Sequence, residues 1–217
     1  MRIIRVSFKK QNEAVYISHL DLQRVLTRAI RRANVPAWYT LGFNPHIYIT
    51  FALPLSLGHS SLCETFDFKT EAETLDKDSL IKALNEALPR GIEVFDIKES
   101  EIDAASIKYC KYVIQLDGDT ENLLKAVKAF EAADEALVEK KTKKGIAKVN
   151  LKEHISKITC KPTPNGIKAE VLLPAGNTFT LNPDLLLGFL SKNYNIDCST
   201  AKVCRTQVLT DKMRVFS

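Results

Sequence analysis

Glycine is scarce in this chain, 8 of 217 residues, and neither GxxxxGK[ST] nor GxGxxG occurs. The two common glycine loops that cradle phosphates of a bound nucleotide are therefore missing. Closely spaced cysteines are missing too. Cys63, Cys110, Cys160, Cys198 and Cys204 form no CxxC pair and no CxxxCxxC, which removes the usual signs of a zinc site and of an iron–sulfur cluster held by that motif. An odd number of scattered cysteines reads as reduced, mostly buried thiols. There is no GxSxG to mark a nucleophilic serine, so the neighbouring His59, Ser60 and Ser61 carry little weight as acyl-transfer machinery. No apolar run approaches the ~20 residues that span a bilayer. The opening MRIIRVSFKK alternates and turns basic where a signal peptide would be apolar. A cytoplasmic location is expected.

Charge is present and unevenly placed. The formal net charge is only +5. Residues 1–62, however, hold eight bases (Arg2, Arg5, Lys9, Lys10, Arg24, Arg28, Arg31, Arg32) against Glu13 and Asp21. Residues 71–105 carry ten acids against four bases, and residues 140–168 carry nine lysines against Glu153 alone. Two basic zones separated by an acidic one point to a basic surface with a polyanionic partner.

Hydrophobic periodicity places these charges on elements. RIIRVSFKK (2–10) alternates like a strand. Ser18 and Asp21 form a capping-box-like pair that opens a helix over 18–34, which Pro36 is expected to stop. On that helix Leu22, Leu26, Ala29, Ile30 and Ala33 share one face, and Arg24, Arg28, Arg31 and Arg32 the other. Segments 37–43, 46–53 and 61–70 read as strands, 76–91 as a helix and 92–100 as a strand. The second half repeats the order: strand 108–118, a helix from Thr120, extended segments around a lysine-rich hairpin, two strands about Pro164-Asn165-Gly166, a helix 182–195 with Pro183 at its first position, and strand 199–209. This is an α+β pattern of two ferredoxin-like (split βαβ) domains with antiparallel sheets, 1–104 and 105–217.

Four arginines on one helical face suit phosphate, because guanidinium offers planar paired donors. Lys10 lies close in sequence. Next comes LGFNPH (41–46), where Gly42 and Asn44-Pro45 are turn chemistry. Tyr39 and Phe43 supply aromatic surface of the kind that stacks on single-stranded RNA bases. Lys141, Lys143 and Lys144 at the hairpin offer salt-sensitive phosphate contacts. His19, at a helix N-terminus that disfavours added positive charge, and His46 are the candidate general bases. The expected RNA-binding set is thus Lys10, Arg24, Arg28, Arg31, Arg32, Tyr39, Phe43, Asn44, Lys141, Lys143 and Lys144. No metal site and no cofactor are implied.

The stretches YISHLDLQRVLTRAIRRANVPAWYTLGFNPH and FALPLSLGHSSLCE, with the closing AKVCRTQVL, resemble the bacterial radical-SAM-linked family. Its members are domains of unknown function encoded beside, or fused to, radical SAM proteins. That resemblance implies an accessory role toward a separate radical SAM enzyme, with an RNA-related task, and supplies no catalytic residues. A looser similarity is to RAMP-type tandem ferredoxin-like RNA-binding proteins, some of them endoribonucleases, although their C-terminal Gly-rich loop is missing here. The expected function is a non-catalytic protein that binds RNA or presents a substrate to a radical SAM enzyme. The alternatives are a metal-independent endoribonuclease using His19 or His46, and an adaptor for an acidic protein partner.

Overall fold

The computed structural model describes residues 1–142 and 145–217. The chain is a mixed α/β protein with mostly antiparallel strand pairing and, among the described residues, four α-helices. It divides into two compact units, Met1–Ser106 with Val215–Ser217, and Ile107–Arg214.

The first unit runs β1 (Arg2–Lys10), α1 (His19–Arg32), β2 (Ile49–Phe51), β3 (Ser60–Thr70), α2 (Lys77–Ala87) and β4 (Ile92–Glu99). β1 pairs antiparallel with both β4 and β3, and β3 takes β2 on its other side. Strand side chains alternate between faces. Ile4, Val6 and Phe8 of β1 and Phe66 and Phe68 of β3 therefore share one core with Leu22, Leu26, Ala29 and Ile30 of α1 and Leu84 of α2. The intervening Arg5 and Asp67 point to the face away from the helices. Both helices thus cover one side of this sheet.

Capping explains where α1 begins and ends. The Ser18 hydroxyl accepts from Asp21 N–H at 3.1 Å and donates to Asp21 Oδ2 at 2.8 Å. At the other end Asn34 is left-handed (φ 51), and Val35 N–H returns to Ile30 O at 3.1 Å while Asn34 N–H reaches Arg31 O at 3.2 Å. That is a Schellman closure with asparagine in the position glycine usually takes. The helix therefore ends before Pro36 has any part in stopping it. Gly91 has a stricter role. It lies at φ +84 in the turn into β4, where an added Cβ would sit 2.3 Å from Gln11 O.

Residues 37–43 and 46–53 do not form the two strands expected from their composition. Only Ile49–Phe51 is a strand, preceded by one isolated Tyr39–Ile47 bridge. Leu41 and Phe43 point into solvent instead of alternating, Gly42 takes φ 125, and Pro45 has no N–H for a ladder. Strand propensity lost here because there is no apolar surface for these side chains to cover.

The second unit runs β5 (Ile107–Asp117), α3 (Thr120–Ala132), β6 (Leu137–Thr142), β7 (Gly145–Asn150), β8 (Ile158–Thr163), β9 (Gly166–Pro174), α4 (Pro183–Tyr194) and β10 (Lys202–Thr210). β5 pairs antiparallel with β10 and β9, and β9 with β8. Setting aside the separate β6–β7 hairpin, the strand order matches that of the first unit: last, first, third, second. Asn182 caps α4 with Pro183 at its first turn, as the sequence leads one to expect.

Candidate functional site

The site is best built from α1 and the segment that follows it. With Leu22, Leu26, Ala29 and Ile30 buried, Arg24, Arg28, Arg31 and Arg32 are all exposed. Their surroundings differ. Arg24 Nη1 pairs with Asp21 Oδ1 at 3.0 Å, in water. The Ser18 hydroxyl, then Arg24, hold the Asp21 carboxyl below the usual carboxylate range. Arg32 donates to Ala87 O, which ties α1 to the end of α2. The Arg31 guanidinium lies 5.9 Å from the centre of the Tyr39 ring, within cation–π range. The arginine face and the aromatic segment of the sequence are therefore brought side by side.

Residues 37–48 lead from α1 to β2 and are pinned at their base. Trp38 N–H donates to Lys69 O at 2.7 Å and Thr40 N–H to His46 O at 2.9 Å, and His46 N–H returns to Thr40 Oγ1 at 3.1 Å. The tip is exposed: Leu41 at 89% and Phe43 at 107%. Tyr39 and Tyr48, at the two ends, are also largely exposed. Asn44 uses its backbone carbonyl to hold the His46 ring, Nδ1 to O at 3.1 Å, while Thr40 Oγ1 lies 3.1 Å from the same nitrogen. A carbonyl only accepts, so the Asn44 contact requires Nδ1–H, and in the neutral ring the lone pair is then on Nε2.

Several sequence candidates sit elsewhere. Lys10 is not on the surface; it is 1% exposed and donates to Val15 O at 3.3 Å and Ile17 O at 2.9 Å. Burial pushes its pKa down, partly offset by the Glu64 carboxylate. It anchors the 3-10 turn before α1 and is unavailable to phosphate. His19 is exposed and meets the Phe51 ring edge-on at 4.7 Å between centroids. Among the described residues no hydrogen bond or ring contact joins it to His46. In the second unit, Lys141 is exposed on β6, but Lys140 is partly tucked in, with Nζ donating to Thr180 O at 2.6 Å and lying 4.1 Å from the Phe179 ring centre. Lys143 and Lys144 lie outside the described residues.

Sequence reasoning missed a buried ion pair on the open face of the first unit. Arg5 is 1% exposed, and its Nε and Nη2 each reach a different Asp67 oxygen at 2.8 Å. Phe216 covers the guanidinium at 4.1 Å. An arginine in mid-strand, flanked by the apolar Ile4 and Val6, was the only signal; its partner depends on the β1–β3 register.

The comparisons with known proteins add a family and little else. The model of a family described as "Uncharacterized protein conserved in bacteria (DUF2344)" matches residues 3–183. No curated protein matches. Among solved structures, the chain is similar to "Crystal Structure of an Unknown Protein from Galdieria sulphuraria", at 15% identity over 94% of this chain and 98% of that one, with a TM-score of 0.27. No helix among the described residues is long and apolar enough to cross a membrane.

Proposed function

We propose, from the premise that this chain belongs to the DUF2344 family of conserved bacterial proteins, that it is a non-catalytic RNA-binding accessory protein. Its partner is a separate radical SAM enzyme, to which it presents an RNA or an RNA-borne substrate in the cytoplasm. The partner is what the family resemblance, most specific in residues 16–64, implies, and the cytoplasm is the location expected from the sequence. The surface supports RNA as the ligand. We also read both units as ferredoxin-like domains, since each carries the order β-α-β-β-α-β with strands arranged last, first, third, second.

One observation carries the RNA reading: the exposed arginine face of α1 lies against an exposed aromatic segment, with Arg31 over the Tyr39 ring. Arginines supply phosphate contacts and cation–π contacts, while Tyr39 and Phe43 offer faces for bases. The β6–β7 hairpin with Lys141 adds a second basic zone in its own unit. The test is binding of single-stranded RNA to the full chain across a salt series, with Arg28→Ala/Arg31→Ala alongside. Affinity should fall steeply with salt, and the double variant should bind more weakly with a shallower salt slope. Undetectable or salt-indifferent binding rejects the reading.

A second reading has one observation in its favour. The His46 ring is held with Nδ1 toward Asn44 O, leaving Nε2 free to take a proton. That is the requirement for a general base acting on a 2′-hydroxyl in a metal-independent ribonuclease.

A further inference from the structure

On the face of the first unit's sheet that its helices leave open, a cavity of about 450 Å³ lies beside β2. Alternation along the strands builds it. Ile47 and Ile49 are buried in the core, so Tyr48 and Thr50 turn to the open face; Ile4, Phe66 and Phe68 likewise send Ile3, Arg5 and Asp67 there. The size falls in the ~300–1,000 Å³ range of small-ligand clefts.

The wall of this cavity is a fixed carboxylate. Arg5 grips Asp67 at two points, and Ser100 Oγ accepts from Arg5 Nη2 at 2.8 Å and lies 3.4 Å from Asp67 Oδ2. Asp67 nevertheless keeps unused acceptor capacity. Among the described residues Oδ1 accepts from Arg5 alone and Oδ2 from Arg5 and Ser100, whereas a carboxylate offers about four lone-pair sites. Its side chain is 23% exposed where it lines the cavity. Ile3, Ile102 and Ala104 add apolar surface to the lining, and Tyr48, 51% exposed, lines it as well.

Charge selects among ligands. Arg5 and Asp67 cancel, and Lys69 is outnumbered by Glu101 and Asp103 among the remaining lining residues. The interior therefore offers no excess positive charge for a phosphate. It suits a flat, neutral group that buries apolar faces and donates N–H to a carboxylate.

We propose that this cavity takes one unpaired nucleobase bearing an amino group: adenine, cytosine or guanine. The base packs against Tyr48 and donates an amino N–H to Asp67. Uracil is disfavoured, because its ring N–H stands between two carbonyl acceptors that the carboxylate repels. The proposal rests on the RNA reading above and deepens it. The α1 arginines and this cavity lie on opposite sides of the sheet, and residues 37–48 join them, with Tyr39 beside Arg31 at one end and Tyr48 at the cavity at the other. A strand following that segment leaves phosphates on α1 and delivers a base to Asp67.

The experiment titrates the full chain with adenosine, cytidine, guanosine and uridine by calorimetry. It is repeated with a single-stranded adenosine-containing oligonucleotide and an abasic one of equal length. Tyr48→Ala and Ile102→Trp are the variants, because Asp67 substitutions strand the buried Arg5 and threaten folding. Amino-bearing nucleosides should bind roughly tenfold tighter than uridine, Tyr48→Ala should weaken them by about the same factor, and Ile102→Trp should abolish binding with the melting temperature retained. No saturation by any nucleoside at millimolar concentration overturns the proposal, as does binding indifferent to Ile102→Trp. RNA binding that responds to Arg28 and Arg31 but not to Ile102→Trp overturns the cavity and leaves the arginine reading standing. Nucleoside binding without RNA binding supports the cavity and overturns the arginine reading.

Discussion

Arg5 and Asp67 stand directly opposite each other on β1 and β3 and close a two-point ion pair, Nε to Oδ1 and Nη2 to Oδ2, both at 2.8 Å. Arg5 is buried and Asp67 partly so. A guanidinium removed from water needs its counter-charge in place, and breaking a buried pair from one side costs more than the pair contributes.

Asp67→Ala should therefore destabilise the protein by about 3–5 kcal/mol, near the figure for an uncompensated buried charge. Replacing both partners, Arg5→Met with Asp67→Leu, should recover much of that loss. Urea unfolding of the wild type and the two variants checks it, and a double variant as unstable as Asp67→Ala would contradict the argument.

The exposed tip should behave in the opposite way. Leu41 and Phe43 bury nothing in this chain, so Phe43→Ser should change stability by less than about 0.5 kcal/mol, the range of ordinary surface substitutions. If Phe43 stacks on a base, the same change should cost RNA affinity about 1–3 kcal/mol. Melting curves and RNA titrations on one preparation separate the two effects.

Lys10 predicts a pH dependence whose sign follows from its environment. Burial lowers its pKa below the ordinary lysine value of 10.5. Between the lowered value and 10.5 the unfolded chain holds the Lys10 proton and the folded chain has released it, so this group makes stability rise with pH across that window. Below the window both states are protonated and its contribution is constant. Urea midpoints of wild type minus Lys10→Met, measured from neutral to strongly alkaline pH, should show that rise; a flat difference would mean that Lys10 titrates normally.

His46 separates binder from ribonuclease. With labelled transcripts in the presence of chelator, the accessory-protein reading expects no cleavage by wild type. Cleavage lost in His46→Ala and kept in His19→Ala would establish His46 as the base. Thr40→Val, which removes the hydroxyl beside Nδ1, should then reduce the rate without abolishing it.

Much of the local structure was legible because its causes are local. The Ser18–Asp21 cap, the apolar stripe from Leu22 to Ile30, Asn182-Pro183 and the turn at Pro164-Asn165-Gly166 each depend on residues a few positions apart. Segment 37–48 misled because β-forming composition does not say whether there is a surface to cover. Residues 37–43 read as a strand and are instead one bridge at Tyr39 and an exposed tip at Leu41 and Phe43. Lys10 misled for a related reason: a cation at the end of a basic strand looks exposed until the carbonyls of Val15 and Ile17 fold back over it.

The sequence by itself determined that α1 is amphipathic with its arginines outward. Helical periodicity and end caps are properties of neighbours, and tertiary packing had only to bury the apolar stripe. It determined likewise the order of strands and helices in the second half, whereas in the first it offered two strands over 37–53 where only Ile49–Phe51 forms. Only the tertiary structure decided what those arginines lie beside, which lysine is withdrawn from solvent, and which acid meets Arg5. Each depends on strand register and chain return across tens of residues. A one-residue slip between β1 and β3 would send Asp67 to the helix face and leave Arg5 without its partner.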